Sequence, residues 1–335
     1  MDNLYTDETN ISNILEIQPN MMNRYSKKDL EIIQVLLQDS RKSQTDIANE
    51  LDIPLSTLQK KLGKIRKELV DKFTIIVDPR KLGLGTYIFR ITTDVVNVLT
   101  IVNHLKEKKY IAEVYYREDG EIIAKAICSH TKFMDAYTEI MHEFHGHITS
   151  ILLLAQPNIG KHTPVVHIEQ LEHLKSDLDK KRALDIAILQ MLVEDSRKSQ
   201  SDMAKELGIP LSTLQKRLNR IKTEIVDKFT IIVDPKKLGL GTYVARIKTD
   251  MNKVLHVVDR LKEEDVISEI FHREDGEIIV KAICSHTKFM DLYKNIRTEF
   301  KEDIQSILLL AQPIVGKHTP IIPVSELDVL KADLA

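Results

Sequence analysis

The same eight residues, Ile-Pro-Leu-Ser-Thr-Leu-Gln-Lys, occupy positions 53–60 and again positions 209–216. This repeat is part of a longer one, because residues 29–178 align without a gap to residues 185–334, always at an offset of 156. Two copies are too few for a solenoid, and each copy has the length of one or two small domains. The duplication therefore predicts two matched halves with the same fold.

Composition restricts the class of protein. The chain is 43% hydrophobic and 29% charged with a formal net charge of −2, which is typical of a soluble protein with substantial cores. Its longest apolar run, 151–155, is too short to span a bilayer, and the amino terminus does not have the pattern of a signal peptide. The two cysteines, Cys128 and Cys284, are copies of one position and provide no disulfide framework. We expect a cytoplasmic protein with no membrane partner.

Residues 29–65 predict three short helices joined by tight turns. The first helix is expected over 29–38, Ser43 is a suitable N-cap for the second, and Pro54 suits the first position of the third. In the third helix, apolar residues recur at intervals of three and four and predict a buried stripe of Leu55, Leu58, Leu62 and Ile65.

The opposite face of the third helix carries polar and basic side chains. Hydroxyl and amide groups at its amino end can reach base edges, and the cations can neutralise phosphates. This pattern is typical of a helix-turn-helix recognition helix, although a solvated helix whose lysines only maintain solubility has the same composition. The DNA-binding candidates are Ser56, Thr57, Gln59, Lys60, Lys61 and Lys64, with Ser212, Thr213, Gln215, Lys216, Arg217 and Arg220 in the second copy.

Residues 39–62, followed by the strand-like segment Phe-Thr-Ile-Ile-Val-Asp-Pro-Arg-Lys-Leu-Gly, resemble the winged helix-turn-helix of the Lrp/AsnC family of transcription regulators. The shared motifs are Asp-x-Arg after the first helix, an Ile-Ala pair in the second helix, and Asp-Pro-x-x-Leu-Gly after the wing. The first and third motifs occur in both copies, whereas the second copy has Met203-Ala204 where the first has Ile47-Ala48. The resemblance implies double-stranded DNA as the partner, and Pro54 and Pro210 depart from it by replacing the usual Ser or Thr cap of the recognition helix.

The remainder of each copy predicts the order β-α-β-β-α-β, which is that of a ferredoxin-like domain. In the first copy, the strands are expected at 87–92, 111–116, 122–127 and 148–155, with helices marked by apolar residues over 95–105 and 133–144. This pattern resembles the small-molecule sensing (RAM-type) domain of the same family. The predicted fold class is α+β, with a winged helix-turn-helix and a ferredoxin-like domain in each copy.

The predicted sheets need a partner on one face. Both helices of such a domain cover the same face, yet the strands at 122–127 and 151–155 are apolar at nearly every position. A bare apolar sheet is an association surface, and in the family two sensing domains from separate chains pack by such sheets. We therefore expect an intrachain pseudodimer that presents two recognition helices to two half-sites, alone or in a higher-order homo-oligomer.

These expectations divide the chain into seven segments. They are a polar tail (1–26), a first winged helix-turn-helix (27–83), a first RAM-like domain (84–164), a helical linker (165–182), a second winged helix-turn-helix (183–239), a second RAM-like domain (240–320) and a C-terminal helix (321–335).

The turn between the second and third sensing strands is the candidate effector site. Family members carry a Gly-Asp-x-Asp type turn there, so the resemblance implies an amino acid or another small molecule as the effector. The alternative is a plain hairpin turn. The candidate residues are Asp119, Gly120 and Glu121, with Asp275, Gly276 and Glu277 in the second copy.

Two histidine-containing segments are weaker candidates for chemistry. Residues 141–147 read Met-His-Glu-Phe-His-Gly-His, but Gly146 stands where a metal-binding HExxH helix needs its second histidine, which favours a polar helix end instead. Cys128 with His130, and Cys284 with His286, are interpreted as a buried cysteine beside a helix cap, with metal or redox sensing as the alternative. We expect no metal and no cofactor.

The leading functional prediction is a sequence-specific transcription regulator that performs no chemistry. One alternative is a nonspecific DNA-compacting protein, whose affinity would depend on salt and not on base sequence. The other is an enzyme, because siroheme decarboxylases resemble the same fold. Beyond His130 and His286, no pair of general acid and nucleophile is evident in the sequence.

Overall fold

A computed structural model describes residues 25–154, 158–161, 180–310 and 314–317 of the chain, and all structural statements refer to these residues. Most of the predicted tail, most of the predicted helical linker and the whole predicted C-terminal helix lie outside them. No helix among the described residues combines the length and apolarity needed to cross a membrane.

The two halves have the same order of elements. The first half contains α1 (Lys27–Gln38), α2 (Gln44–Glu50), α3 (Leu55–Glu68), β1 (Val70–Val77), β2 (Gly85–Thr93), α4 (Val98–Glu107), β3 (Ile111–Tyr116), β4 (Glu121–Cys128), α5 (His130–Glu143), β5 (Ile148–Leu154) and β6 (Asn158–Lys161). The second half contains α6 (Lys180–Glu194), α7 (Gln200–Glu206), α8 (Leu211–Glu224), β7 (Val226–Val233), β8 (Gly241–Thr249), α9 (Val254–Lys262), β9 (Ile267–His272), β10 (Glu277–Cys284), α10 (His286–Glu299), β11 (Ile304–Leu310) and β12 (Ile314–Lys317).

The three helices at the start of each half form as predicted, with two corrections in α3. Ser43 caps α2 by accepting a hydrogen bond from the Asp46 backbone N–H at 3.0 Å. Pro54 is the N-cap of α3 and not its first residue, because its ψ of 140° is extended. Leu55 is 41% exposed and does not belong to the buried stripe, because it lies in the first turn, beyond the helix-packing core.

Strand β1 pairs with its own copy, β7. The two strands run antiparallel with Thr74 opposite Thr230, so a pseudo-two-fold axis passes between these residues. The sequence placed this segment in the wing of its own copy, and in the structure the strand pair of the two winged units is shared between the two halves. Within the described residues, β1 and β7 form a two-stranded sheet, so each of these two strands takes its hydrogen-bonding partner from the other half.

The strand pair exchanges core residues between the halves. The core of α1, α2 and α3 is completed by Ile231, Val233, Leu238 and Leu240 from the second half. The core of α6, α7 and α8 in turn contains Ile75 and Val77 from the first half. Each helix-turn-helix unit therefore buries its apolar face partly against residues of the other half.

The two ferredoxin-like sheets also exchange strands. Their strand orders are β5-β2-β4-β3-β12 and β11-β8-β10-β9-β6, so the fifth strand of each sheet comes from the opposite half. The sequence assigned 158–161 and 314–317 to the domains at 84–164 and 240–320, whereas the structure places both segments on the other sheet. The exchange covers β3 and β9, which would otherwise be edge strands with unpaired backbone groups.

The faces of the two sheets that lack helices pack against each other, which confirms the predicted intrachain pseudodimer. The apolar part of this contact is made by three residues from each half, and each residue is matched by its copy. These are Ile88, Tyr115 and Ile123 with Val244, Phe271 and Ile279.

A group of four charged side chains lies inside the same sheet interface. Lys125 Nζ is 2.9 Å from Glu269 Oε1, Lys281 Nζ is 2.9 Å from Glu113 Oε1, and the four side chains are at most 5% exposed. Burial acts to lower the pKa of Lys125, but the carboxylates of Glu113 and Glu269 outweigh it and the pKa is raised. Two cations and two anions neutralise each other, which allows all four to stay charged.

Removing one member of this buried group is expected to destabilise the chain strongly. Lys125→Met leaves two buried carboxylates with one cation, which should cost about 3–5 kcal/mol of the free energy of unfolding, measured by urea denaturation. Replacing all four charges by apolar residues, together with Tyr115→Phe because its hydroxyl donates to Glu113, should be neutral or stabilising. A single variant as stable as the parent chain would contradict this account.

The exchanged strands also predict the behaviour of an isolated half. Residues 1–177 include α1 to β6 but not the strand that completes their core. We expect this fragment to form a dimer in light scattering, because a second copy can supply β1 where the intact chain supplies β7. A folded monomer would show that the halves do not need each other.

Candidate nucleic-acid interface and effector turn

The predicted DNA-contacting residues lie on α3 and α8, where most of them face outward. The buried side of α3 is Leu58, Leu62 and Ile65, which fixes the orientation of the rest of the helix. Neither Pro54 nor Pro210 provides a side-chain cap, so the first turn of each helix keeps backbone N–H groups without a capping side chain. The exposed candidates are Ser56, Thr57, Gln59, Lys60 and Lys64 on α3, with Ser212, Thr213, Gln215 and Lys216 on α8.

Three of the predicted phosphate contacts are held by ion pairs within the protein. Lys61 Nζ lies 2.9 Å from a carboxylate oxygen of Asp29 at the start of α1. Burial would raise the pKa of Asp29, but hydrogen bonds from Lys61 and Ser26 outweigh this effect and lower it. In the second half, Arg217 Nη1 lies 2.7 Å from Asp185, which also binds Arg220. These cations brace the recognition helices against α1 and α6.

Two other predicted DNA-contacting residues contact neighbouring elements while their side chains stay exposed. The Gln59 side-chain amide donates to Gln44 Oε1 at 3.3 Å, at the start of α2. Lys64 Nζ lies 5.0 Å from the centre of the Tyr25 ring. Gln59 and Lys64 are both exposed, so contacts with DNA can replace these contacts within the protein.

A second group of cations, which the sequence-based prediction did not include, lies at the pseudo-two-fold axis. The guanidinium groups of Arg41 and Arg197 stack on Phe229 and Phe73 of the opposite half, at 5.2 and 4.8 Å from the ring centres. Arg41 and Arg197 are the arginines of the Asp-x-Arg motif. The motif was therefore visible in the sequence, but its contacts depend on the other half.

The candidate effector turn is a tight hairpin that requires glycine. Gly120 has a φ of 108°, and a Cβ atom there would lie 1.9 Å from the carbonyl oxygen of Thr93. Gly276 has a φ of 96° and the same restriction from Thr249. The glycine therefore has a structural role independent of any ligand.

The acidic residues of this turn are ion-paired. Asp119 pairs with Arg117 at 2.5 Å, and Glu121 pairs across the sheet interface with Arg246 at 3.1 Å. The second copy has the equivalent pairs, Asp275 with Arg273 at 3.1 Å and Glu277 with Arg90 at 3.5 Å. A ligand at either turn would have to replace or extend one of these pairs.

Arg117 extends the same site towards the other half. Its Nη1 donates to the carbonyl of Leu309 on β11 at 3.2 Å. In the second copy, Arg273 Nη1 donates to the carbonyl of Leu153 on β5 at 3.3 Å. Each turn is thus attached to the sheet of the opposite half.

The cysteines fit a structural role. Cys128 is buried, burial raises the pKa of its thiol to about 12, and the adjacent Ser129 caps α5. A thiol with such a pKa is not a reactive nucleophile at neutral pH.

One cluster with metal-ligand chemistry lies on the helix-covered face of the first sheet. Ligand atoms of His104, Glu139 and Glu143 lie within 4.8 Å of one another, and His104 Nδ1 is 2.7 Å from Glu143. At the equivalent place in the second half, Arg260 pairs with Glu299 at 3.2 Å. The matched position in the second half is therefore filled by an ordinary ion pair.

Comparison with known proteins identifies the helical units. A family model described as winged helix-turn-helix DNA-binding matches residues 25–67 and 181–221. The HTH-type transcriptional regulator LrpA of Pyrococcus horikoshii is 30% identical over 101 residues, which are 30% of this chain and 72% of that protein. An uncharacterized HTH-type transcriptional regulator of Pyrococcus furiosus is 32% identical over 141 residues, which are 42% of this chain and 89% of that protein.

The arrangement of the whole chain is similar to that of a solved structure. The siroheme decarboxylase NirDL, in complex with an iron-uroporphyrin III analogue, aligns over 92% of this chain and 100% of its own, with a TM-score of 0.62. The sequence identity is 13%, so this likeness concerns the fold alone. The more similar sequences are those of the regulators, and the chain belongs to the Lrp/AsnC family of helix-turn-helix DNA-binding transcription regulators.

Proposed function

We propose that a single chain acts as the equivalent of a regulator dimer, reads two half-sites of one operator and performs no chemistry. The observation that carries this proposal is the exposed surface of the duplicated segment. The same Ser, Thr, Gln and Lys side chains are presented by α3 and α8, on units related by the axis between Thr74 and Thr230. Two closely similar reading surfaces related by a two-fold axis match an inverted repeat in DNA.

The side chains of each reading surface divide by chemistry. Gln59 can form two hydrogen bonds to an adenine edge, and Ser56 and Thr57 lie in the same exposed first turns of the helix. Lys60 and Lys64 suit phosphate contacts, which give affinity without base preference. Lys61 serves first to brace α3 through Asp29, so its contribution to DNA binding is secondary.

We further propose an amino acid, or a similar zwitterion, as the effector at the two acidic turns. Asp119 and Glu121 offer carboxylates to an ammonium group, and Arg246 offers a guanidinium to a carboxylate. These groups belong to both halves. A ligand there would therefore alter contacts across the sheet interface, which is the requirement for a regulatory effect.

The two alternatives differ from this proposal in measurable ways. A nonspecific DNA-compacting protein would bind all duplexes with the same salt-dependent affinity. A siroheme-decarboxylase-like enzyme would bind a tetrapyrrole and absorb visible light. The regulators that share 30% or more identity with the chain support the first proposal over both.

Replacement of Gln59 should separate base readout from phosphate binding. Gln59→Ala is expected to cost about 1–3 kcal/mol on the preferred operator and to relax preference in one half-site, because Gln215 still reads the other. Lys64→Ala should weaken all sequences alike and reduce the salt slope by about one unit. Fluorescence anisotropy on specific and scrambled duplexes at several salt concentrations measures both effects.

Two further variants serve as controls for this experiment. Gln215→Ala should relax the opposite half-site, and Lys301→Ala, an exposed lysine on the sensing domain, should change neither affinity nor salt slope. If Gln59→Ala leaves affinity and preference unchanged while Lys64→Ala weakens both duplexes, α3 holds the backbone without reading bases. Sequence-specific regulation would then lose its main support.

The effector proposal is tested by thermal shift with amino acids. A ligand at a hundred times its Kd should stabilise the chain by about 2.7 kcal/mol. In the variant Asp119→Ala with Asp275→Ala, the shift produced by a confirmed ligand should disappear, because the ammonium group loses its nearest exposed carboxylates. An unchanged shift would place the ligand elsewhere.

A further inference from the structure

Arg41 and Arg197 lie where the two helix-turn-helix units meet. We infer that these two arginines are positioning residues, which fix the distance and orientation between the recognition helices and thereby set the interval between half-sites that the chain accepts. The inference rests on the proposed function, because an interval has meaning only for a protein that reads two half-sites.

The first support is that each arginine contacts the opposite half. Arg197 donates to the backbone carbonyl of Ser40, and Arg41 Nη2 donates to that of Lys198 at 3.5 Å. The hydroxyls of Ser40 and Ser196 meet at 3.1 Å and are buried. The loops after α1 and α6 are therefore connected to each other directly across the axis.

The second support is that these contacts continue to the recognition helices. The Phe73 ring contacts both Arg197 of the second half, at 4.8 Å, and Arg66 in the last turn of α3, at 5.1 Å. The Phe229 ring likewise contacts both Arg41, at 5.2 Å, and Lys222 of α8, at 5.9 Å. A continuous row of side chains thus joins each recognition helix to the loop of the opposite half.

The third support is the backbone around the axis. Thr74 donates to the carbonyl of Val193 at the end of α6, and Thr230 donates to that of Leu37 at the end of α1, both at 2.9 Å. The N–H groups of Ser40 and Ser196 donate to the carbonyls of Phe229 and Phe73 at 3.1 Å. The strands and the exchanged core residues hold the units together, and we assign to the arginines the restriction of the rotation that remains between them.

The charge of this group shows that packing alone does not account for it. Burial, followed by repulsion from Arg66, lowers the pKa of Arg197 to about 10. Partly buried cations that repel each other are unfavourable, whereas an apolar residue would pack against the Phe rings without that cost. The guanidinium group adds a planar stack combined with directed hydrogen bonds, which lysine and apolar residues do not provide.

The functional consequence follows from DNA geometry. Adding one base pair between half-sites moves them apart by about 3.4 Å along the helix and rotates one relative to the other by about 34°. A rigid pair of recognition helices cannot follow this change, but a loosely connected pair can. Arg41 and Arg197 therefore determine specificity for the interval without contacting a base.

The experiment uses operator fragments selected from genomic DNA, remade with one or two base pairs added or removed between the half-sites. The parent chain should lose about ten-fold or more in affinity for each altered interval. The variant Arg41→Ala with Arg197→Ala should lose less than about three-fold in affinity for each altered interval. Its base preference within a half-site should stay that of the parent chain. Arg41→Lys with Arg197→Lys should behave like the alanine variant, because lysine keeps the charge but not the planar stack.

A measurement without DNA tests the same inference. Spin labels on Lys67→Cys and Thr223→Cys, two exposed copies of one position near the ends of α3 and α8, report the distance between the recognition helices. The native cysteines are buried and therefore protected from labelling. The distance distribution should be narrow in the parent chain and clearly broader in the double alanine variant.

The outcomes distinguish this inference from the proposed function. If the parent chain shows no sequence preference, the proposed function fails, while the label distances still test the arginines. If the parent is specific but the arginine variants keep both its interval dependence and its narrow distance distribution, the inference is overturned. Lys301→Ala, at an exposed position away from the helix-turn-helix units, is the control and should alter neither readout.

Discussion

The antiparallel pairing of β1 with β7 is the contact on which the rest of the structure depends. It places two copies of one strand side by side, with Thr74 opposite Thr230, and thereby creates the pseudo-two-fold axis. Side chains of β1 and β7 complete the cores of both helix-turn-helix units. Because each unit buries residues of the other half, the two recognition helices form parts of one folded body.

The ferredoxin-like domains are joined in the same way at the sheet interface. Each sheet receives a fifth strand from the opposite half, and the apolar faces pack around four buried charges. A covalent link between the halves makes this association intramolecular, so it no longer depends on protein concentration. The link also allows the halves to diverge, as at Tyr115 and its copy Phe271, while the segment Ile-Pro-Leu-Ser-Thr-Leu-Gln-Lys is identical in both halves.

Electrostatics divides the cations of this near-neutral chain into separate roles. Lys61 and Arg217 brace the recognition helices through Asp29 and Asp185, whereas Lys60 and Lys216 remain on the exposed surface. Arg246 connects an acidic turn of one half to the sheet of the other. A cation with a carboxylate nearby, such as Lys61, therefore stabilises the fold. A cation on the exposed surface next to it, such as Lys60, is available to a binding partner.

The sequence by itself determined the order of the elements, the apolar stripe of α3 at Leu58, Leu62 and Ile65, and the pairing of two matched halves. These follow from local spacing and from the repeat, which are properties of the chain alone. It did not determine that β1 pairs with its own copy, that residues 158–161 join the opposite sheet, or that Lys61 is held by Asp29. Only the tertiary structure decided these, because two identical strands have equal local preferences, and a four-residue strand has no periodicity to identify its partner. Which copy supplies each partner depends on the three-dimensional proximity created by the fold.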